Sequence, residues 1–457
     1  IGDYLRPGIN QITVRAADSN SWQQPRGKQE GTTRWPIDYD PVIGIWQSVW
    51  LEPINKRHLL NIGSHYAMNE RILHLTCELS EAHSGQIRAT LKTNGTKHCR
   101  TQSEAQSRSE VRLTLSIDQP ILWSPESPHL YDLELELVDE NGDVIDRVKS
   151  HAGLRELTIT DGKHCLNGEP LYLRGILDQG YFPEGWYSPM DDDTLRQDIE
   201  LTKAMGFNFV RKHQKAEDPR YLYWADKLGL LVWAEMPSGR IFSADLVTAL
   251  STQWLDLVRR DRGHPCVIGW VPFNESWGVW HIQQRPEQRA LVDALVQLTK
   301  ALDTSRPVIG NDGWEYSSGD LWTLHLYYDA QRTLDERLAA LLADPTQPVT
   351  QGDRPRNGAL SGSDPSHLPV LLTECGGVGF DTGNQTADAF AYGDLPTDSA
   401  ALEQEIRQIT ASIKASETLQ GFVWTQFTDV QQEINGLLYF DRTPKLPIDT
   451  LKEIFAG

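Results

Sequence analysis

The feature that most constrains the fold is an alternation of short apolar segments and amphipathic segments after residue 153. Short apolar runs bounded by Gly, Pro or polar residues predict buried strands, and the periodic segments between them predict helices. Such alternation predicts a parallel sheet, and eight strands favour a closed (β/α)8 TIM barrel over an open sheet. The candidate strands are Tyr172–Gly175, Phe207–Val210, Leu230–Glu235, Val267–Phe273, Pro307–Asn311, Leu321–Tyr327, Val370–Glu374 and Gly421–Gln426.

Capping residues predict several of the helix boundaries. The segment Asp191–Ala204 has an acidic first turn, which suits the positive end of a helix. Asp218 and Pro219 predict the start of a second helix and Gly229 its end, because Asp caps helix N-termini and Pro tolerates the first helical position. Two further helices are predicted over Glu287–Leu302 and Leu402–Ser416.

Before residue 153 the apolar residues recur with a period of two. Over residues 55–152 this pattern, with a hairpin signal at Asn141-Gly142, predicts an immunoglobulin-like β-sandwich. Residues 1–54 also contain alternating segments, Asn10–Ala16 and Gly44–Glu52, which predict short strands. The chain is therefore expected to be multidomain, with the barrel over residues 153–457. The predicted sandwich strands are Ile72–Leu79, Gln86–Lys92, Val111–Ile117 and Leu130–Val138.

Composition argues against several classes of partner. The formal net charge is −20, from 43 Lys and Arg against 63 Asp and Glu, which disfavours nucleic acid and anionic membranes as partners. No apolar run approaches the roughly 18 residues that a membrane-spanning helix needs. His-x-x-x-His and Cys-x-x-Cys spacings are absent, so neither a metal nor a cofactor is expected.

The location of the protein stays open at this stage. The five cysteines are unclustered and are expected to be reduced packing residues. The chain starts at Ile1 within a segment predicted to contain strands, so we expect upstream sequence, and any signal peptide in it, to be missing. A cytoplasmic location is favoured, but the sequence leaves it unknown.

Two apolar runs end abruptly in a glutamate, at Glu275 and at Glu374. Barrel enzymes place their chemistry at the carboxyl ends of strands, and a pair of carboxyl groups there is the equipment of a glycosidase. A surface salt bridge is the alternative for Glu275, but its neighbour Asn274 is poor core material at a strand end. The Gly pair after Glu374 lets the backbone approach a ligand.

Other polar and aromatic side chains are predicted near the ends of barrel strands. Arg174 and Arg211 are candidates to hold the nucleophile ionised, with a structural role in barrel closure equally open. Tyr327 is a candidate donor to the nucleophile, and Trp424 a candidate floor for the sugar. Three further strand-end residues are candidates for substrate binding or for structural roles, His213, Glu235 and His325.

With these segments in place, the chain resembles glycoside hydrolase family 2, the group of β-galactosidases, β-glucuronidases and β-mannosidases. The matching segments are spread over nearly the whole chain and occur in the same order as in the family. It rests on the segments Gly44–Glu52, Leu173–Gly175, Phe273–Glu275, Leu372–Glu374 and Val423–Gln426.

The resemblance implies part of a jelly-roll sugar-binding domain over residues 1–54, followed by the sandwich and the barrel. It also implies retaining exo-hydrolysis of a carbohydrate, with Glu275 as acid/base and Glu374 as nucleophile. Asn274 is implied to bind the hydroxyl beside the anomeric carbon, and Tyr327 to contact the nucleophile.

Three departures from the family pattern bear on the expected metal and on the expected sugar. The segment Trp233–Ser238 lacks the Glu-x-His that supplies magnesium ligands in the large β-galactosidases, so no essential magnesium is expected. Asn435-Gly436-Leu437 replaces the Asn-x-Lys of glucuronidases, which favours a neutral sugar. The segment Arg211–Lys215 departs from Arg-x-x-His, which leaves a different terminal sugar open.

The leading hypothesis is a retaining, β-galactosidase-like exo-glycosidase. An exo-acting arabinofuranosidase or galactofuranosidase on the same scaffold, a non-catalytic carbohydrate-binding protein and an inactive fragment are the alternatives. Homo-oligomer formation is left open. The polar loop between Ala343 and His367 is expected to shape one wall of the site.

Overall fold

The computed structural model describes residues 2–29, 35–327, 333–350, 355–380, 389–392 and 395–457. Its antiparallel part begins with two sheets that pack face to face. The first has the strand order β1-β2-β5 and the second β4-β3-β6-β7. The strands are β1 (Leu59–Ala67), β2 (Ile72–His83), β3 (Gln86–Thr93), β4 (Thr96–Glu104), β5 (Arg108–Ser116), β6 (Tyr131–Val138) and β7 (Val144–Ala152).

The sandwich follows from the alternation of its residues. Leu75, Ile87 and Leu113 are buried between the sheets, together with Leu133 and Leu135. The predicted β-sandwich and its four predicted strands are confirmed. Sequence analysis missed β1, β4 and β7, and β4 has no buried residue to mark it. A small antiparallel sheet then precedes the barrel, formed by β8 (Leu157–Thr160), β9 (Lys163–Leu166) and β10 (Glu169–Pro170).

A curled sheet of seven parallel strands forms the barrel, as predicted, with the strand order β14-β13-β12-β11-β17-β16-β15. Its strands are buried on both faces, which is why they are continuous apolar runs in the sequence. The strands are β11 (Leu173–Asp178), β12 (Phe209–Lys212), β13 (Leu231–Glu235), β14 (Val267–Val271), β15 (Trp322–His325), β16 (Val370–Gly376) and β17 (Leu419–Thr425).

Helices cover the outside of this sheet. Asp191 and Asp218 accept hydrogen bonds from the first turns of their helices, and Gly229 ends the second in a left-handed conformation, as their sequence signals predicted. No helix within the described residues is long and apolar enough to cross a membrane. The helices are α1 (Asp192–Ala204), α2 (Pro219–Leu228), α3 (Ala244–Asp261), α4 (Pro286–Leu302), α5 (Leu334–Ala343), α6 (Ser399–Ala415) and α7 (Ile448–Ala456).

The predicted strand Pro307–Asn311 is wrong as a regular strand. The segment follows β14 through isolated parallel bridges, one of which joins Trp270 and Val308. Asp320 binds both backbone polar groups of Val308. Its carboxylate accepts a hydrogen bond from Val308 N–H at 2.8 Å, and its own N–H donates to the Val308 carbonyl at 2.9 Å. Because these groups are engaged locally, Val308 has no backbone group left for a ladder with a further strand.

Residues 2–29 and 35–58 contain no β-strand, so the predicted strands Asn10–Ala16 and Gly44–Glu52 are wrong. A strand needs a neighbour for its backbone groups and a face to bury, whereas Val14 and Trp50 are 62% and 72% exposed. The jelly-roll assignment of residues 1–54 stays a prediction. Two described parts of this segment contact the barrel: residues 26–29 bind the backbone of Ser238, and residues 35–39 bind the side chain of Gln432.

Candidate active site

Side chains from four strands converge at the carboxyl end of the barrel. Arg211, Glu235, His325 and Glu374 come from β12, β13, β15 and β16, and each lies within the last three residues of its strand. Glu275 follows β14 by four residues. The parallel arrangement therefore brings together five of the side chains that the sequence predicted for the site.

The two predicted catalytic glutamates are close neighbours. One carboxylate oxygen of Glu275, one of Glu374 and a ring nitrogen of His325 all lie within 4.8 Å of one another. Retaining glycosidases place their two carboxyl groups about 5–5.5 Å apart, and inverting ones about 6.5–9.5 Å apart. The observed separation fits the retaining geometry.

Glu374 accepts hydrogen bonds from two side chains and lies near a third polar group. Its Oε2 accepts a hydrogen bond from the hydroxyl of Tyr327 at 2.6 Å, and its Oε1 accepts one from Nη1 of Arg211 at 3.1 Å. Nδ1 of His325 lies 3.5 Å from Oε1. Burial raises the pKa of Glu374 and the nearby Glu275 adds to this, whereas His325, Arg211 and Tyr327 oppose it.

The backbone at Glu275 adopts an uncommon conformation. Glu275 and Ser276 have φ of +50° and +57°, the left-handed region that costs non-glycine residues energy. Hydrogen bonds hold this turn in place, because Glu275 N–H donates to the carbonyl of Asp312 at 2.9 Å and Ser276 N–H to the side chain of Asn311 at 2.9 Å. The turn aims the Glu275 carboxyl at His325, whose Nδ1 lies 2.7 Å from Oε1.

Arg211 links most of the polar groups of the site. Its fully buried guanidinium lies 2.7 Å from Glu235 Oε2 and 2.6 Å from Asp312 Oδ2, besides its bond to Glu374. Nη2 also donates to Oδ1 of Asn274 at 2.6 Å, which fixes the orientation of that amide. Burial opposes ionisation of Asp312, but Arg211 and His325 hold its pKa well below the usual range.

Sequence analysis missed Asp312, although it follows a predicted strand directly. Its Oδ2 accepts a hydrogen bond from Nε2 of His325 at 2.9 Å, and its Oδ1 accepts one from Thr373 at 2.9 Å. Burial lowers the pKa of His325, but Glu374 and Asp312 outweigh this and raise it to about 10. His325 is therefore a cation at neutral pH that donates to Glu275 and to Asp312.

His213 and Glu235 lie behind these residues. Glu235 accepts hydrogen bonds from Arg211 and from the backbone N–H of Gln214 at 3.0 Å, and burial raises its pKa. Nδ1 of His213 lies 3.2 Å from Oε1 of Glu235, but the geometry is not that of a hydrogen bond. Burial and the charge of Arg211 lower the pKa of His213 well below its usual range, so this imidazole is neutral.

Two predicted site residues lie elsewhere. Arg174 is the second residue of β11, which continues to Asp178, so its side chain lies near the opposite end of the barrel and donates to the carbonyl of Gly206 at 3.2 Å. Trp424 packs edge-on against Phe455 of α7, at 5.3 Å between ring centroids. Both predictions are wrong, because Arg174 is at the start of its strand and Trp424 faces the outer helices.

A pocket of about 500 Å³ opens beside Glu275. Val349 and Thr350 contribute to one wall, so the loop after Ala343 shapes the pocket as predicted; residues 351–354 of that loop lie outside the described residues. The other residues lining the pocket are Trp35, Pro36, Ile37, Trp314, His325, Tyr327, Arg337, Phe390 and Tyr392.

The donor groups do not fit the magnesium of the large β-galactosidases. Glu235 is already paired with Arg211, and Pro237 offers no donor side chain at the position where Glu-x-His would place the histidine. Glu275, His325 and Glu374 are close enough to hold an ion, but the raised pKa of His325 means that a proton competes for its nitrogen. No step of the reaction is therefore assigned to a metal.

A parallel barrel with two carboxyl groups at strand ends is the arrangement on which many glycosidases are built. Family comparison agrees: residues 64–155 match the model of glycosyl hydrolases family 2, and residues 157–457 match the TIM-barrel domain of the same family. The chain belongs to glycosyl hydrolases family 2.

Several relatives in this family carry the name β-galactosidase. A β-galactosidase of Vibrio cholerae is 36% identical over 205 residues, 43% of this chain and 19% of the relative. A β-galactosidase of Pectobacterium atrosepticum is 34% identical over 341 residues, 67% of this chain and 30% of the relative. The chain thus spans less than a third of the length of these two relatives.

Solved structures with the same fold include enzymes that act on acidic sugars. Bifidobacterium dentium β-glucuronidase, complexed with coumarin-3-O-glucuronide, matches with a TM-score of 0.70 and 19% identity, over 88% of this chain and 67% of that chain. Eisenbergiella tayi β-galacturonidase bound to galacturonate matches with a TM-score of 0.69 and 17% identity, over 88% and 73%. At this identity the likeness concerns the fold.

Proposed function

We propose that this chain is a retaining exo-glycosidase that removes a terminal neutral sugar, in the manner of a β-galactosidase. The observation that carries the proposal is the carboxyl pair: one oxygen of Glu275 and one of Glu374 lie within 4.8 Å of each other. Tyr327 and Arg211 donate to Glu374, and His325 donates to Glu275. A protein that only binds carbohydrate needs neither this spacing nor the donors that position each carboxyl group.

Glu374 acts as the nucleophile in this proposal. Tyr327 and Arg211 each bind one of its oxygens, and these bonds stabilise the carboxylate form that attacks the anomeric carbon. Attack forms a glycosyl-enzyme ester while the bond to the leaving-group oxygen breaks. A water molecule then attacks the same carbon and releases Glu374 as a carboxylate.

Glu275 acts as acid and then as base. His325 engages Oε1 of Glu275, so Oε2 is the oxygen that protonates the departing oxygen. In the second step Glu275 accepts the proton of the attacking water, which returns both carboxyl groups to their starting states. The hydrogen bond from His325 keeps the Glu275 carboxyl group oriented between these steps.

Asn274 contributes to binding of the sugar. Because Arg211 holds its Oδ1, the amide nitrogen is the group that remains to donate to a hydroxyl beside the anomeric carbon. This agrees with the role that the family resemblance implies for Asn274.

The pairing of Arg211 supports a neutral sugar. Its guanidinium is surrounded by three carboxylates, those of Glu235, Asp312 and Glu374. A sugar carboxylate would have to compete for this cation with residues that already pair with it.

The test is a panel of nitrophenyl glycosides, with β-galactoside, β-glucoside, β-mannoside, β-glucuronide and α-L-arabinofuranoside, each with and without EDTA. We expect turnover of one neutral glycoside, insensitivity to EDTA, and loss of turnover in Glu374→Gln. Proton NMR of the first-formed sugar should show retained anomeric configuration. Turnover confined to the glucuronide, or an inverted product, would contradict the proposal.

A further inference from the structure

We infer that His151, Asp226 and His264 form a zinc site where the β-sandwich meets the barrel. A zinc ion bound by these three side chains would join the two domains. The inference does not depend on the proposed function, because this set of ligands is separate from Glu275 and Glu374.

The three residues come from different parts of the chain. His151 is in β7, the last strand of the sandwich, Asp226 is near the end of α2, and His264 lies between α3 and β14. His264 precedes the first residue of β14 by three positions, so the cluster lies at the amino end of the barrel strands. The catalytic glutamates lie at the carboxyl end, and a metal in this cluster is therefore remote from the reaction centre.

The donor atoms of the three side chains converge. Nε2 of His151 lies 2.7 Å and Nδ1 of His264 lies 2.6 Å from the same oxygen of Asp226, Oδ2. All three atoms lie within 4.8 Å of one another. In a tetrahedral zinc site, bonds of about 2.0–2.2 Å place neighbouring donor atoms about 3.3 Å apart. Each contact would therefore lengthen by about 0.7 Å to admit the ion, a change within the reach of side-chain rotation.

Asp226 is held in the orientation that a ligand needs. Its side chain is fully buried, and its Oδ1 accepts a hydrogen bond from Cys266 N–H at 2.8 Å. Metal-binding carboxylates are commonly fixed in this way by a hydrogen bond to the oxygen that faces away from the metal. A buried carboxylate also needs a positive partner, and a divalent cation between the three side chains supplies it.

The two imidazoles can each provide a nitrogen to a metal, which requires a nitrogen without its proton. Each contacts Asp226 through one ring nitrogen, and the side chains of His151 and His264 are 22% and 18% exposed, so the proton can pass to the other nitrogen or to water. His325 differs, because both of its ring nitrogens face carboxylates and its side chain is 1% exposed. The cluster between the domains therefore fits a metal ion better than the cluster at the active site.

The donor set favours zinc among the common divalent cations. Two imidazole nitrogens and one carboxylate suit zinc, whereas magnesium and calcium prefer oxygen ligands. A cavity of about 230 Å³ is lined by both histidines and leaves room for a water molecule as the fourth ligand. The other polar residues that line this cavity are Asn61, Ser64, Ser150 and Arg260.

The experiment measures metal binding to the full chain after treatment with EDTA and dialysis. Zinc binding is followed by calorimetry, Co²⁺ serves as a spectroscopic probe of tetrahedral coordination, and Tm is measured with and without each metal. The test variants are His151→Gln and His264→Gln, because glutamine keeps an N–H that can donate to Asp226 but removes the imidazole ligand. His74→Gln is the matched control in the sandwich, and His325→Gln tests for binding at the active site instead.

We expect one zinc ion per chain, a tetrahedral Co²⁺ spectrum, and a rise in Tm of at least about 2 °C with zinc but none with magnesium. Each test variant should weaken zinc binding at least about tenfold and lose the rise in Tm, measured against its own metal-free Tm. Zinc binding should be unchanged in His74→Gln and in His325→Gln.

Three outcomes would overturn the inference. A folded wild type that binds no zinc would show that the cluster is only a set of hydrogen bonds between the domains. Zinc affinity that is unchanged in both test variants would place the ion elsewhere. Zinc binding that is lost in His325→Gln, and retained in the two test variants, would place it at the active site.

Discussion

The hydroxyl of Tyr327 donates to Oε2 of Glu374 at 2.6 Å, while the ring of the same residue lies flat against Tyr392. One side chain thus orients the proposed nucleophile and forms part of the wall of the pocket beside Glu275. Tyr327 follows β15 by two residues, so the barrel strand determines its position.

Removal of the Tyr327 hydroxyl should lower kcat/KM without unfolding the protein. For Tyr327→Phe we expect kcat/KM to fall about 10- to 100-fold, since a hydrogen bond to a charged group contributes about 1.5–3 kcal/mol. Tyr316→Phe is the matched control, because its half-buried hydroxyl donates to the carbonyl of Gly319 at 3.0 Å, outside the described pocket residues. Similar losses in the two variants would refute the role of Tyr327.

Substitution of Glu275 should affect substrates according to their leaving groups. Glu275→Gln removes the proton donor, so a methyl glycoside should lose about 100-fold or more in kcat/KM. A dinitrophenyl glycoside needs little protonation and should keep most of its first-step rate. Glu374→Gln should abolish both reactions. An equal loss on both substrates in Glu275→Gln would show that Glu275 is not the acid.

The raised pKa of His325 predicts a loss of stability in base. Its pKa of about 10 in the folded chain lies above the ordinary 6.5, so the folded state holds this proton more tightly than the unfolded state. The resulting stabilisation is complete below pH 6.5 and is lost as the pH rises through 10. The free energies of unfolding in urea of wild type and His325→Gln should therefore converge as the pH rises from 6.5 to 10. A difference in unfolding free energy that does not change with pH would argue against a protonated His325.

The two arginines predicted for the site should respond differently to the same substitution. Arg211→Lys cannot reproduce the contacts to Glu235, Asp312 and Asn274, and we expect at least about a 100-fold loss of kcat/KM. Arg174→Lys should leave kcat/KM within about twofold and cost about 1 kcal/mol of folding free energy, from its bond to Gly206. Comparable losses of kcat/KM in the two variants would show that Arg174 does contribute to the site.

Local signals predicted much of the fold because they are physical requirements of single elements. Asp191 and Asp218 cap helices wherever those helices pack, and the apolar runs of the barrel strands follow from burial on both faces. Glu275 and Glu374 were found in the same way, as charges that end buried strands. The signals failed at Asn10–Ala16, where alternation was present but no neighbouring strand among the described residues pairs with it.

The sequence by itself therefore determined the type of most elements and the two glutamates at strand ends. Only the tertiary structure decided that Arg211 and not Arg174 meets Glu374, that Asp312 joins them, and that Trp35 reaches the pocket. The physical reason is that periodicity reports the environment of one strand or helix. Where a strand starts relative to its neighbours, and which distant segment covers its end, depend on contacts between residues far apart in the chain.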